Sequence, residues 1–419
     1  MSAPLVALLM AATLVLWVPT LCFVLEVLFA LLPARTEAPR SAVYPPIAVL
    51  VPAHNEAPTI GSALQSIRSQ LRSDDRLLVV ADNCSDDTAA AAAAGGAEVI
   101  ERRDDRQRGK GFALDFGVRH LAARPPAVLI VVDADCRVAD GTLQRLATLC
   151  ASTGRPVQAR YLMYAPPGSG ALRKLAQFAW LVRNEVRPSG LLRLGLPCQL
   201  MGSGMAFPWR SVAQGRLASG HLVEDLKLGV ELAQAGSAPL FCPAALVTSL
   251  FPIATAGVES QRRRWEHGHL SVLLSLGPKL WWRALARRDA QALALAFDLM
   301  VPPLSLLLLL SAIVWLLDLA AWRWLGSALP GLLSSIALGA LLAAVWLAWL
   351  GFGRQIVSLG TLLLAGGYAL RKIPLYAGFL VARQVEWVRS RREGEGEGEP
   401  RGAGELRGNG GGEGGTKPR

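Results

Sequence analysis

A chain of 419 residues that is 52% hydrophobic and only 18% charged is too apolar for a wholly soluble protein, so membrane-length apolar runs have to be located in it. Six cysteines, Cys22, Cys84, Cys136, Cys150, Cys198 and Cys242, form no C-x-x-C pair, which argues against a zinc site or a disulfide framework and for reduced thiols. The formal net charge of +11 reads as juxtamembrane Lys and Arg, with no nucleic-acid partner expected.

Residues 1–33 form the first expected element, an N-terminal transmembrane helix. Pro4 to Leu32 is almost wholly apolar, with Glu26 its one charge, and is long enough to span a bilayer. Met1 to Pro4 carries no Lys or Arg, so a retained helix is expected rather than a cleaved signal. Arg35 and Arg40 follow, and by the positive-inside rule the next domain, residues 45–250, is cytoplasmic. The chain is then a multi-pass protein of the inner or plasma membrane.

Residues 47–51 (IAVLV) read as a buried strand, and Pro52, His54, Asn55 and Glu56 form the turn after it. A helix is expected over 59–70. A second strand, 77–81, ends in Asp82. Asp86 and Asp87 open an Ala-rich helix, where acidic residues suit the N-terminal dipole. A short strand at 98–101, a polar loop at 102–108, and Gly109-Lys110-Gly111 leading into a helix to about residue 122 come next. Residues 128–132 are the fourth strand. Strands alternating with helices in this way specify an α/β fold, a doubly wound and mostly parallel sheet.

The fourth strand ends in Asp133-Ala134-Asp135. Residues two apart on an extended chain point the same way, so both carboxylates face one crevice. Such crevices, at the carboxyl ends of parallel strands, are where open α/β sheets bind ligands. Paired hard oxygens suit Mg²⁺ or Mn²⁺, which usually accompany a substrate diphosphate. A polar turn after a core strand explains the same three residues, so the motif needs the rest of the chain.

The second half is less regular. A strand is expected at 157–164 and a helix at 171–186. Residues 199–207 (QLMGSGMAF) are apolar and interrupted by glycine, His221 to Asp225 opens a helix ending near 236, and 239–250 is extended. Residues 255–288 mix basic and aromatic side chains, as in an amphipathic helix lying in a membrane interface. A transmembrane and interfacial region, 290–382, holds two spans at about 292–321 and 327–350. Its last part, 356–380, carries Arg371, Lys372 and Pro374 and is either a third span or interfacial. The Gly/Glu/Arg-rich tail, 389–419, has almost nothing to bury and is expected to be disordered.

VPAHNE, ADNCSDDT, RGKGFAL, DAD, GSGMAF, VED and QRRRW stand in that order along the chain. In this the sequence resembles the inverting family 2 glycosyltransferases, within them the membrane-embedded branch of cellulose, hyaluronan and poly-N-acetylglucosamine synthases and ceramide glucosyltransferases. The resemblance covers about residues 47–265 plus the flanking helices. It implies a metal-dependent hexosyltransferase of GT-A fold acting on a UDP-sugar at the cytoplasmic face, with a polysaccharide or glycan acceptor or, alternatively, a single transfer to a lipid. Partners implied are the donor, the acceptor, the bilayer, and export or assembly proteins. No G-x-x-x-x-G-K-[ST] run is present to suggest a membrane NTPase.

The resemblance also assigns roles. Pro52, His54, Asn55 and Glu56 lie near the nucleotide, and Asp82 accepts from the base or merely caps a helix. Lys110 offers a point charge to donor phosphate or ribose. Asp135 is the metal ligand, and Asp133 orders the ribose or supports the metal shell. Asp225 is the base that deprotonates the acceptor, with Glu224 the neighbouring alternative. Gly202 and Ser203 let backbone approach the acceptor. Of the Q-x-x-R-W motif, Gln261, Arg264 and Trp265, the Arg faces the diphosphate and the Trp stacks on the acceptor ring; Arg262 and Arg263 are expected to face lipid. Relatives often have Thr or Glu where Val223 stands, and two or three C-terminal spans are few for a polymer channel.

Overall fold

The computed structural model describes residues 2–33, 44–213, 217–221, 223–252 and 255–381. Arg35, Arg40 and the tail at 389–419 lie outside them. The elements in chain order are α1 (Ser2–Ala30), β1 (Ile47–Ala53), α2 (Ala57–Arg68), β2 (Arg76–Asp82), α3 (Thr88–Ala94), β3 (Glu98–Arg102), α4 (Lys110–Leu121), β4 (Val128–Val131), β5 (Arg137–Val138), α5 (Thr142–Thr153) and β6 (Val157–Tyr164). Then come α6 (Ala171–Leu181), a π-helical turn (Val182–Val186), α7 (Arg187–Arg193), β7 (Met205–Pro208), α8 (Trp209–Val212), α9 (Glu224–Gln234) and β8 (Leu240–Leu250). The membrane-proximal part holds α10 (Thr255–Ser275), α11 (Gly277–Arg287), α12 (Ala290–Met300), α13 (Leu304–Leu325), α14 (Ala328–Ala348), a second π turn (Trp349–Gly353), α15 (Leu359–Leu363), α16 (Ala365–Leu370) and α17 (Ile373–Val381).

All eight strands form one sheet, in the order β3-β2-β1-β4-β7-β6-β8-β5. β3, β2, β1 and β4 run parallel, as the alternation of strands and helices requires. β7 is antiparallel to both β4 and β6, so the second half of the sheet is mixed. Alternation along β1 explains the two layers. Ile47, Val49 and Val51 pack with Ile60, Leu64 and Ile67 of α2 and with Leu143 and Leu146 of α5. Ala48 and Leu50 face the other way, onto Leu114, Val118 and Leu121 of α4 and Leu228 and Leu232 of α9. The spacing of Ile60, Leu64 and Ile67 puts them on one helix face, and each is fully buried, worth about 1.5–3 kcal/mol apiece. Parallel registry, Ala53 beside Ala81 and Leu50 beside Val131, brings the ends of β1, β2 and β4 to one edge.

Three helices are long and apolar enough to cross a membrane: Ala3–Ala30, Leu304–Leu325 and Ala328–Gly353. The first and third match expectation. The span expected over 292–321 is instead two helices, α12 and α13, because Pro302 and Pro303 cannot continue the α12 ladder. Within the described residues, 356–380 fold into short helices, of which α17 is nine residues long up to Val381. The interfacial helix expected over 255–288 is broken at Leu276 into α10 and α11. The helix expected to stop at 186 continues through the π turn into α7, ending at Arg193.

α7 joins the sheet domain to α1. A Cβ on Gly190 would collide with the Glu26 carbonyl, so only glycine permits this backbone approach. Beside it, the buried Arg187 guanidinium donates from Nε to Glu26 Oε2 at 2.5 Å and from Nη2 to Asp298 Oδ1 at 2.5 Å. Gln199 Nε2 donates to the other Asp298 oxygen at 2.9 Å. Glu26 is therefore a buried ion-pair partner rather than a stray charge in an apolar helix.

Candidate active site

The turn after β1 and the end of β2 build one wall. Asn55 adopts φ 53, a left-handed conformation that Asn tolerates. Its side chain locks the two loops together: Nδ2 donates to Ser85 Oγ at 2.9 Å and Oδ1 accepts from Ser85 N–H at 2.7 Å. Glu56 Oε2 accepts from Thr59 Oγ1 at 2.7 Å as α2 begins. His54 Nδ1 lies 2.6 Å from the Asp82 carbonyl oxygen. Asp82 does not cap a helix. Its Oδ1 accepts from Arg102 Nη1 at 2.7 Å and from Asn83 Nδ2 at 3.1 Å, which fixes the carboxylate at the cleft edge.

The centre is a cluster of charges. Asp133 and Asp135 leave β4 side by side, and their carboxylates with the Cys136 thiol lie within 4.8 Å of one another. Lys110 reaches in from the first turn of α4. Its Nζ is 2.5 Å from Asp133 Oδ1, donates to the Gly202 carbonyl at 2.6 Å, and lies 3.9 Å from Glu224 Oε1. Gly202 has φ 96, which favours glycine and turns that carbonyl toward the lysine. A Cβ there would sit 3.4 Å from Asp225 Oδ2.

Electrostatics follow from this packing. Burial raises the Asp133 carboxyl, and Lys110 opposes that rise. Burial would lower the Lys110 ammonium, yet Asp133 and Glu224 outweigh it and hold it above its ordinary value. Burial pushes Glu224 up to about 7, again opposed by Lys110. The Cys136 thiol is driven well above its usual range by burial, then by Asp135 and Asp133. It is a neutral thiol, donating weakly to Asp135 Oδ1 at 3.6 Å.

The opposite wall is aromatic. Trp265 on α10 packs against Trp180 on α6, ring centroids 4.8 Å apart, and Trp180 meets Tyr161 and Phe251 edge-on at 5.6 and 6.3 Å. Trp180 Nε1 and Asn184 Nδ2 both donate to the Tyr161 carbonyl. The cleft has a volume of about 700 Å³.

Pro52, His54, Asn55, Glu56, Asp82, Lys110, Asp133, Asp135, Gly202, Glu224, Asp225, Arg264 and Trp265 all line it. The Ser203 side chain is fully buried beneath the Asp133 loop, its Oγ accepting from Asp133 N–H at 3.0 Å, so it supports the carboxylates. Lys110, at the cleft floor, is held by Asp133 and by the Gly202 carbonyl. Arg262 lies over the Tyr368 ring, 5.7 Å from its centroid, while Arg263 is exposed. The side chain of Gln261 lies outside the described residues. Sequence reasoning missed Arg183, Asn184, Tyr161 and Trp180. The π turn that carries the first two has no sequence signature, although such bulges often mark functional sites.

Solved structures similar to this chain include glycosyltransferases. The mannosyltransferase PcManGT from Pyrobaculum calidifontis, in complex with GDP-Man and Mn²⁺, is 19% identical, with 90% of this chain and 97% of that one covered, at a TM-score of 0.49. Glucosyl-3-phosphoglycerate synthase from Mycobacterium tuberculosis, in complex with Mn²⁺, UDP and phosphoglyceric acid, is 20% identical, over 54% of this chain and 78% of that one, at 0.36. GalNAc-T7 with UDP, GalNAc and Mn²⁺ is 16% identical, over 60% and 52%, at 0.38. No curated protein sequence matches the chain. The family model described as "Glycosyltransferase like family 2" matches residues 45–268, the sheet domain together with the start of α10. On that match across more than half its length, the chain belongs to glycosyltransferase family 2.

Proposed function

We propose that this chain is a membrane-integrated, inverting, metal-dependent transferase that moves a hexose from a UDP-sugar to an acceptor hydroxyl in the cleft. The observation carrying this reading is the convergence of Asp82, Asp133, Asp135, Asp225, Arg264 and Trp265, from separate segments of the chain, on one cavity. That cavity is about 700 Å³, within the ordinary size range of small-ligand sites.

The donor set fits a divalent cation. Asp135 offers hard carboxylate oxygens, which suit Mg²⁺ or Mn²⁺. Asp135 would hold the ion, with Asp133 behind it; when bound, the ion offsets diphosphate charge as a Lewis acid. The protein residues do the rest. Asp82, steadied by Arg102, accepts from the base. Arg264 faces the diphosphate and Trp265 stacks on the acceptor. Asp225 takes the acceptor proton as its oxygen bonds the anomeric carbon. On the opposite face the bond to phosphate oxygen breaks and its electron pair leaves with UDP, which inverts the centre.

The acceptor has two readings, a growing glycan or a lipid. The catalytic domain lies on the cytoplasmic face of the inner or plasma membrane in both. A second cavity beyond Trp265, with apolar surface from Phe23, Val301 and Leu304, favours the lipid. Purified full-length protein with a panel of UDP- and GDP-sugars, scored for released nucleoside diphosphate with and without EDTA, tests the donor reading. Release that persists undiminished in EDTA overturns the metal-dependent mechanism.

A further inference from the structure

Trp180, Trp265 and Arg183 line two cavities at once. One is the cleft above. The other, about 130 Å³, lies between α6, α10, α1 and the start of α13. Its walls are mixed. Phe23 belongs to the α1 span and Leu304 opens the α13 span, so the chamber reaches the level of the membrane helices. Ala176, Val301 and Pro302 add further apolar surface.

Cations predominate among its charged groups. Arg173, Arg183, Arg187, Arg262 and Lys372 line it against one carboxylate, Glu266. Lys372 is paired with Glu266 at 2.5 Å, and Arg187 with Glu26 and Asp298. Arg183 is different. Among the described residues, its guanidinium makes no hydrogen bond or ion pair, although the side chain is largely buried. Its nearest charges act only through space: Asp225 on the cleft side, and Arg187, Asp298 and Glu266 around the chamber. The guanidinium opens onto both cavities with no carboxylate in contact with it, so an anionic ligand entering either space meets a cation free to form charge-assisted hydrogen bonds.

We infer that this chamber is a subsite for a membrane lipid with a phosphate-bearing head, the acceptor of the transfer. The inference rests on the transferase reading above and names its acceptor class. The phosphate sits against Arg183 and Arg262, and the first methylenes of the tail lie against Phe23, Val301 and Leu304. The end of the head carrying the reactive oxygen passes the Trp180–Trp265 pair into the cleft, toward Asp225. The dual membership of Arg183 is what joins the two spaces.

The test uses the full chain in phosphatidylcholine nanodiscs and three photoreactive probes with the same diazirine tail: phosphatidic acid, phosphatidylcholine and diacylglycerol. Cross-linked peptides are mapped by mass spectrometry. UDP and GDP binding is measured by calorimetry on the same samples. The expected result is labelling of α6 and the first turn of α13 by phosphatidic acid at least five-fold above the other two probes. That labelling should fall several-fold in Arg183→Gln, in Arg262→Gln and in the chamber-filling Ala176→Trp. Equal labelling by all three probes, or labelling confined to the outer faces of the spans, overturns the inference. Loss of labelling on adding millimolar glycerol phosphate would show a water-soluble phosphate ester to be the ligand and also overturns it. Ala176→Trp is scored only if it retains nucleotide binding; if it does not, the two Arg variants decide. Selective labelling with neither nucleotide bound leaves the chamber standing and removes the transferase reading. Nucleotide binding without selective labelling does the reverse.

Discussion

Lys110 Nζ stands 2.5 Å from Asp133 Oδ1, joining the start of α4 to the end of β4 across the floor of the cleft. The same nitrogen donates to the Gly202 carbonyl, so one ammonium fixes three segments. Removing it frees a half-buried carboxylate and unpins the Gly202 loop together.

Lys110→Met should therefore lower transfer by roughly 10²-fold, the cost of small misplacements in a catalytic site. It should also lower the melting temperature. Lys110→Met combined with Asp133→Asn should melt no lower than Lys110→Met alone, because the charge left unpaired in the single variant is gone. Nucleoside diphosphate release and thermal melting on the three variants check this. Strictly additive losses would show that the two side chains act independently.

Asp135→Asn should abolish the dependence of donor binding on the divalent ion. Calorimetry of UDP with Mn²⁺ and with EDTA should differ at least tenfold in affinity for the wild type and little for the variant. An unchanged metal response in Asp135→Asn would move the ion to Asp133 or elsewhere.

Asp225 and Glu224 both line the cleft, one near Gly202 and one near Lys110. If Asp225 is the base, Asp225→Asn keeps UDP affinity within a few-fold and cuts kcat by roughly 10²–10⁴. kcat/KM should fall with it, as expected for an interaction made only in the transition state. Glu224→Gln should cost less. Near-normal turnover in Asp225→Asn with loss in Glu224→Gln would shift the base by one residue.

Glu224 also sets a pH dependence. Burial lifts its folded pKa to about 7 from an ordinary value of 4.5. The folded chain then binds this proton more tightly than the unfolded chain. The resulting stabilisation is full below about pH 4.5 and is lost as pH rises through 7. Its upper limit is about 3 kcal/mol, since each tenfold gain in proton affinity is worth about 1.36 kcal/mol. Between those pH values the wild type should lose melting temperature relative to Glu224→Gln. Parallel curves for the two proteins would show that Glu224 keeps an ordinary pKa.

The parallel half of the sheet was legible because β1, β2 and β4 are short β-branched runs, buried on both faces and each followed by polar residues. Residues two apart on a strand point the same way, so Asp133 and Asp135 could be placed in one crevice without any contact being known. Arg183 could not. It lies in a stretch that reads as plain helix, and only the π turn aims it between two cavities. Ser203 sits in a Gly-Ser-Gly run that reads as a flexible turn, yet its hydroxyl takes the N–H of Asp133, 70 residues away. The break between α12 and α13 was signalled by Pro302-Pro303 but submerged in a continuous apolar run. Long-range polar partners leave no local pattern in sequence, whereas hydrophobic periodicity does.

The ion triad of Glu26, Arg187 and Asp298 gives the last expectation, which concerns stability alone. Arg187 is buried between two buried carboxylates and is the strong donor to both. Arg187→Met leaves two acidic groups facing each other in an apolar setting, and breaking a buried pair from one side typically costs about 3–5 kcal/mol. Replacing all three, as Glu26→Leu, Arg187→Met and Asp298→Leu, removes the unpaired charges, and such apolar replacements are often neutral or stabilising. Gln199 loses its Asp298 partner in that variant, so recovery should be substantial but incomplete. Thermal melting in detergent should rank the wild type first, the triple variant second and Arg187→Met last. If the triple variant melts below Arg187→Met, the triad contributes net attraction beyond mutual neutralisation, and α1 is held to the catalytic domain chiefly by charge rather than by the close approach at Gly190.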